Sequence, residues 1–68
     1  MIKINLDRVM LDRKITSNEL AKQVGIAPAN LSILKTGKAK GIRFNTLEKI
    51  CTILDCQPGD ILEFVGEE

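Results

Sequence analysis

"SNELAKQVGIAPANLSILKT", residues 17–36, contains the clearest structural pattern in the chain. Its apolar residues recur at the spacing of two short amphipathic helices, and they are Leu20, Val24, Ile26, Leu31 and Leu34. Between them, Gly25 is free to adopt a positive φ, and Ala21 is small enough to let two helices cross closely. The pattern predicts two helices joined at a steep angle by a tight turn.

Both helices have recognisable starts. Residues 16–19, Thr-Ser-Asn-Glu, form a capping box, and Ile15 is spaced to pack on Leu20. The second helix begins at Pro28, because a proline N–H would lack a helical partner in the first turn anyway. We expect this helix to run to Thr36.

Three further helices are expected outside this pair. Asn5 is a plausible cap for the first, residues 45–48 form a second capping box that opens the fourth, and Pro58 starts a short fifth helix. The residues expected to turn inward are Leu6, Val9, Met10, Leu47, Ile50, Cys51, Leu54, Ile61 and Leu62.

The two ends of the chain have strand-like composition. "MIKI" alternates apolar and polar residues, and "LEFV" is rich in residues that favour strands. Each is too short to be stable alone, so the alternatives are a two-stranded ribbon that closes the domain or a pair of frayed termini. The 68 residues therefore predict one all-α domain of five helices, closed by such a ribbon if the ends pair.

This pattern resembles the helix-turn-helix of the phage-repressor family, the Cro/cI type. The resemblance covers about residues 5–64 and includes Thr16, Glu19-Leu20-Ala21, Gly25-Ile26, Leu31-Ser32, Leu34-Lys35 and Gly37-Lys38. It implies a five-helix bundle, with residues 1–68 as a single DNA-binding domain and residues 17–36 as the motif. It is nearest to the very short bacterial regulators in which this domain is almost the whole protein.

In that family the second helix of the motif lies in the major groove of double-stranded DNA. By position, the residues that would face base edges are Pro28, Ala29, Asn30 and Ile33. Those that would lie near phosphates are Ser17, Ser32, Lys35, Thr36, Lys38, Lys40 and Arg43. One domain of this size covers one half-site, so the resemblance also implies a homodimer or two molecules on adjacent half-sites.

The chain departs from the family where Gln, Arg or Ser is common, because it has Pro28, Ala29 and Ile33 there. Bidentate reading of guanine or adenine is therefore absent from these positions. Affinity is expected from phosphate contacts, and sequence discrimination is expected to be modest or to depend on DNA shape. Two of these residues have structural alternatives to base contact. In these alternatives, Ile33 packs at the edge of the core and Asn30 satisfies backbone groups at the helix start.

The net charge of +1 conceals an uneven distribution. The basic stretch, residues 35–43, contains Lys35, Lys38, Lys40 and Arg43 and no acid. The acidic stretch, residues 55–68, contains Asp55, Asp60, Glu63, Glu67 and Glu68 and no base. The basic stretch can therefore bind a polyanion that the acidic stretch would repel. The simpler alternative is that the basic stretch is a solvated surface without a partner.

Several classes of function are not expected. The chain has no histidine and only two cysteines, Cys51 and Cys56, so we expect reduced thiols, no metal site, no cofactor and no enzyme active site. No small-molecule site is evident. No apolar run approaches the roughly 18 residues of a membrane span, and no signal-peptide pattern opens the chain, which favours a cytoplasmic protein.

A second class of function remains open. The chain could be a protein-interaction module, such as an antitoxin-like partner or an accessory subunit, whose helix-turn-helix core no longer reads sequence. The apolar surface at Ala29 and Ile33 favours this alternative, and the basic stretch opposes it.

Overall fold

Five helices and a two-stranded ribbon make up the computed structural model, which describes residues 1–66. The elements in chain order are β1 (Ile2–Ile4), α1 (Leu6–Arg13), α2 (Ser17–Val24), α3 (Pro28–Lys35), α4 (Phe44–Leu54), α5 (Pro58–Ile61) and β2 (Leu62–Phe64). The predicted five-helix architecture is confirmed. Within the described residues, no helix is both long and apolar enough to cross a membrane. Two residues of the acidic stretch, Glu67 and Glu68, lie outside the description.

The core is built from the apolar faces of all five helices. Its buried residues are Leu6, Val9, Met10, Leu20, Ala21, Val24, Leu31, Leu34, Leu47, Ile50, Leu54 and Ile61. Each fully buried leucine or isoleucine contributes about 1.5–3 kcal/mol relative to an exposed one. The inward positions are thus confirmed except at Cys51 and Leu62, which are only half-buried and pack against the margin of the core.

The chain ends pair as an antiparallel ribbon, so the alternative of frayed termini is wrong. The register is Ile2 opposite Phe64, Lys3 opposite Glu63 and Ile4 opposite Leu62. The pairing continues beyond the strands, because the Met1 ammonium donates to the Val65 carbonyl at 2.8 Å and the Val65 N–H donates to the Met1 carbonyl at 2.8 Å. Ile4 and Leu62 pack against the core and attach the ribbon to the helices.

Asn5 precedes α1 as predicted, but its side chain makes no capping hydrogen bond. Its N–H donates to the Ile61 carbonyl at 2.7 Å, and its side-chain amide donates to Glu63 Oε1 at 3.0 Å. The residue therefore belongs to the end of the ribbon. Asn5 is thus the N-cap residue of α1 as predicted, but its side chain bonds to the ribbon and not to the start of the helix.

The start of α4 was predicted wrongly. The helix begins at Phe44, two residues before the predicted start, and Arg43 is its N-cap with no side-chain capping bond. The Leu47 N–H donates to the Arg43 carbonyl at 3.0 Å, which is the first helical hydrogen bond of α4. The helix therefore closes its first turn on Arg43 and includes Asn45, the residue that had been expected to cap it.

Candidate nucleic-acid interface

The turn between α2 and α3 fixes how the two helices are presented. The capping box is present, since the Thr16 hydroxyl accepts from the Glu19 N–H at 3.2 Å. At the other end, Gly25 is left-handed with φ of 86°, and its N–H donates to the Ala21 carbonyl at 2.9 Å. Ala21 is only 1% exposed between the packed helices. The turn that leads into α3 is therefore fixed to the end of α2 by short-range backbone bonds.

Gly25→Val is expected to lower the free energy of unfolding by about 1–3 kcal/mol, because a β-branched residue is strained at positive φ. No heavy atom lies within 4 Å of the Cβ that would be added, so the loss comes from the backbone and not from a clash. Gly25→Asn is the matched control and should lose much less, since asparagine tolerates the left-handed region. Equal melting temperatures for parent and both variants would contradict this account of the turn.

The four residues predicted to face bases all lie on the exposed surface of α3: Pro28, Ala29, Asn30 and Ile33. Leu31 and Leu34 occupy the opposite, buried face of the helix. Ile33 is 46% exposed, so the alternative that it packs as an edge of the core is not supported. The Asn30 side chain makes no hydrogen bond with residues 1–66, and it therefore does not satisfy backbone groups at the helix start.

The basic stretch continues from α3 into an extended loop beside it. Lys38, Lys40 and Arg43 are exposed, and none of them forms an ion pair within the part of the chain described. A groove of about 450 Å³ separates the loop from α3. Its polar lining brings Asn30 and Arg43 together with Thr46. The structure thus places one base-facing candidate and one phosphate candidate on the same concave surface.

Lys35 and Ser17 are joined directly. The Lys35 ammonium donates to Ser17 Oγ at 2.9 Å and lies 3.8 Å from Asp7 Oδ1 on α1. The serine hydroxyl accepts this bond and keeps its own proton to donate. Lys35 is therefore engaged with the protein, in contrast to the three cations of the loop.

The remaining phosphate candidates differ in what their hydroxyls can do. Ser32 is exposed on α3. The Thr36 hydroxyl donates to the Ser32 carbonyl at 2.8 Å, so its proton is already used inside the helix end. Phosphate oxygens only accept, which means that Thr36 must rotate its hydroxyl before it can donate to one.

Two residues of this surface have no signal in the local sequence pattern. Asp7 meets Lys35 across 28 positions of sequence, and a contact of that kind follows only from the packing of α1 on α3. Thr46 was expected in the capping box of α4. In the structure α4 starts earlier, at Phe44, and Thr46 lines the groove beside Asn30.

The cysteines lie apart from this surface. Both thiols are free and half-buried, and the Cys56 N–H donates to the Cys51 carbonyl at 3.0 Å. Burial, with a contribution from the neighbouring Cys51, raises the pKa of the Cys56 thiol to about 11. Cys56 therefore stays protonated at neutral pH, which makes it a poor nucleophile. Within residues 1–66, no three potential ligand side chains gather in a way that could hold a metal ion.

Comparisons with known proteins identify the fold and the family of this chain. Over 67 residues the chain is 58% identical to YozG of Bacillus subtilis, an HTH-type transcriptional regulator described as uncharacterised, and the match covers 98% of this chain and 80% of that protein. A crystal structure of a Bacteroides fragilis protein, provisionally described as DNA-binding, superposes with a TM-score of 0.82. It is 21% identical and matches 93% of this chain and all of the other, which shows a shared fold. The family model of Cro/C1-type helix-turn-helix DNA-binding domains matches residues 5–67, and the chain belongs to that family.

Proposed function

We propose that this chain is a DNA-binding transcriptional regulator that inserts α3 into the major groove of double-stranded DNA. The observation that carries the proposal is the combination of two neighbouring surfaces. The start of α3 is exposed and nearly free of charge, and the loop beside it presents Lys38, Lys40 and Arg43 with no acid nearby in sequence. The first surface suits a groove floor and the second suits phosphates.

The chemistry of each part follows from its side chains. Ala29 and Ile33 lie one turn apart on α3 and offer apolar contact to thymine methyl groups. Asn30 can pair with adenine, since its amide is not used within the described residues. The phosphates would be bound by Lys38, Lys40 and Arg43. The Ser17 hydroxyl would donate its proton to a further phosphate.

One copy of α3 reads one half-site, so we propose a homodimer or two molecules on adjacent half-sites. Residues 1–68 act as a single DNA-binding unit in this proposal, and the protein works in the cytoplasm, where bacterial DNA is found. The YozG similarity and the family assignment support a regulatory role.

Titration of a random duplex DNA at several salt concentrations tests the proposal. We expect log K to fall linearly with log salt, with a slope of about −0.9 for each phosphate contact. A mutant carrying a disrupted core gives the control for unfolded protein. Binding that is absent at low salt, or that does not respond to salt, would contradict the proposal.

Ala29→Gln is expected to change the preferred base at one position of each half-site towards adenine. The glutamine amide can form a bidentate pair with adenine N6 and N7, which is worth about 1–3 kcal/mol of discrimination. The salt slope should stay at the parent value, because no charge changes. Selection of bound sequences from a random DNA pool measures the shift, and Leu11→Gln on the exposed face of α1 is the control. Identical preferred sequences for parent and Ala29→Gln would show that the start of α3 does not face bases.

A protein-interaction module is the second candidate. Exposed apolar side chains favour it, namely Ile33 on α3 and the paired Ile2 and Phe64 on the ribbon. We expect such a module to show no salt-sensitive binding to DNA through its loop cations. The same titration therefore separates the two candidates.

A further inference from the structure

The cation at the end of α3 is held differently from those of the loop. Lys35 is 27% exposed, and its ammonium contacts both Ser17 and the carboxylate of Asp7. Asp7 itself is 77% exposed, so its carboxylate stands at the surface beside the N-terminal end of α2. The ammonium thus contacts an anion of the protein and also Ser17, a residue that the proposed function places near a phosphate.

Asp7 has the chemistry of a phosphate mimic at this position. A carboxylate and a phosphate both accept from an ammonium, and a pair at 3.8 Å whose carboxylate is exposed to solvent is weak enough to exchange. The contact to Ser17 is shorter, at 2.9 Å, and need not break when the ammonium turns outward. DNA binding then replaces one partner of Lys35 and retains the other.

We propose that Asp7 is an internal competitor for the DNA phosphate that Lys35 would bind. The proposal rests on the proposed function and adds a positioning residue to it. In the free protein, Asp7 neutralises Lys35 and holds it close to Ser17. On binding, the ammonium transfers from carboxylate to phosphate, and the remaining Asp7 charge repels the backbone. Asp7 therefore lowers the affinity for every DNA sequence without taking part in base recognition.

The proposal predicts a gain of function. Asp7→Asn is expected to tighten binding to random duplex DNA by about two- to fivefold at low salt, the scale of releasing one exposed ion pair. The gain should shrink as salt rises, because screening weakens both the pair and the repulsion. Selected DNA sequences should be the same for the parent and the variant.

A double-mutant cycle separates release of Lys35 from the simple loss of a negative charge. The four proteins are the parent, Asp7→Asn, Lys35→Gln and the double variant. Loss of repulsion alone gives the same fold-change from Asp7→Asn in both backgrounds. Release of Lys35 gives a larger gain when the lysine is present, and we expect this result.

The matched control is Asp12→Asn. Asp12 lies on the same helix, about 140° around the axis from Asp7, and lines a different cavity together with Asp60 and Glu63. Asp12 is also exposed, and its replacement changes the net charge by the same amount as Asp7→Asn. We expect a smaller gain in affinity from this variant than from Asp7→Asn.

A stability measurement shows whether tighter DNA binding by Asp7→Asn results merely from a more stable fold. Asp7 lies in the first turn of α1, where a carboxylate interacts favourably with the helix dipole. Asp7→Asn should therefore lower the melting temperature slightly while it tightens DNA binding. Stabilisation of the fold could not produce this opposite pair of effects.

Salt-sensitive binding by the parent, together with an unchanged Kd for Asp7→Asn, would overturn the role of Asp7 and leave the proposed function standing. Equal fold-changes in the two backgrounds of the cycle would also overturn it. Absence of DNA binding by the parent at low salt would instead overturn the proposed function, and the role of Asp7 with it.

Discussion

Replacing Leu31 with alanine is expected to lower the free energy of unfolding by about 2–5 kcal/mol. Leu31 is 0% exposed on α3, which packs against α2 and α1. The change removes apolar burial and leaves a cavity that the neighbouring helices cannot fill without moving. A domain of 68 residues has a total stability of about 3–10 kcal/mol, so the loss is a large fraction of the free energy of unfolding.

Leu11→Ala makes the same chemical change at a leucine that is 79% exposed on α1. Its effect should stay within about 0.5 kcal/mol, as for other surface substitutions. Urea unfolding of both variants and the parent gives the comparison, with equal m-values as the check on two-state behaviour. Similar unfolding midpoints for the two variants would contradict the placement of α3 on the core.

Simultaneous replacement of Lys38, Lys40 and Arg43 by glutamine is expected to reduce the salt slope of DNA binding by about 2.7 units, or about 0.9 for each phosphate contact. At 0.1 M salt each contact is worth roughly eightfold in affinity relative to 1 M, so the three together should raise Kd by roughly 100- to 500-fold. The loss should be the same on every sequence, because phosphates carry no base identity. Fluorescence anisotropy with two unrelated duplexes measures both quantities.

The matched control replaces Lys3, Lys14 and Lys49 by glutamine. These residues are exposed on the ribbon, at the end of α1 and on α4, so the net charge changes equally at residues outside the loop. The control should retain most of the slope and most of the affinity. If both triple variants lose the same amount, binding follows the total charge and the loop has no special role.

The arrangement of helices could be predicted because it depends on local periodicity. Leu20 and Val24 on α2, and Leu31 and Leu34 on α3, recur at helical spacing, and Gly25 marks the turn by its freedom at positive φ. Each of these signals lies within a few residues of the structure it determines. The boundary of α4 was missed because the helix forms its first hydrogen bond to the Arg43 carbonyl, two residues before the capping signature begins.

The site was predictable only in part, for the same physical reason. A helical period that buries Leu31 and Leu34 exposes Ala29, Asn30 and Ile33, so the open face of α3 follows from sequence. The partners of the polar groups on α3 cannot be predicted from the helical period. Asp7 reaches Lys35 through the packing of separate helices, and nothing within either helix specifies that contact.

An NMR titration of the labelled protein with a duplex from the random-pool selection locates the DNA-binding surface residue by residue. We expect amide shift changes at Ser17, through residues 28–33 at the start of α3 and through loop residues 37–43. The acidic residues 55–63 should remain unchanged, since that end of the molecule is repelled by DNA. Shift changes confined to the ribbon, or no saturable changes at low salt, would contradict the claim that α3 and the basic loop form the DNA-binding surface.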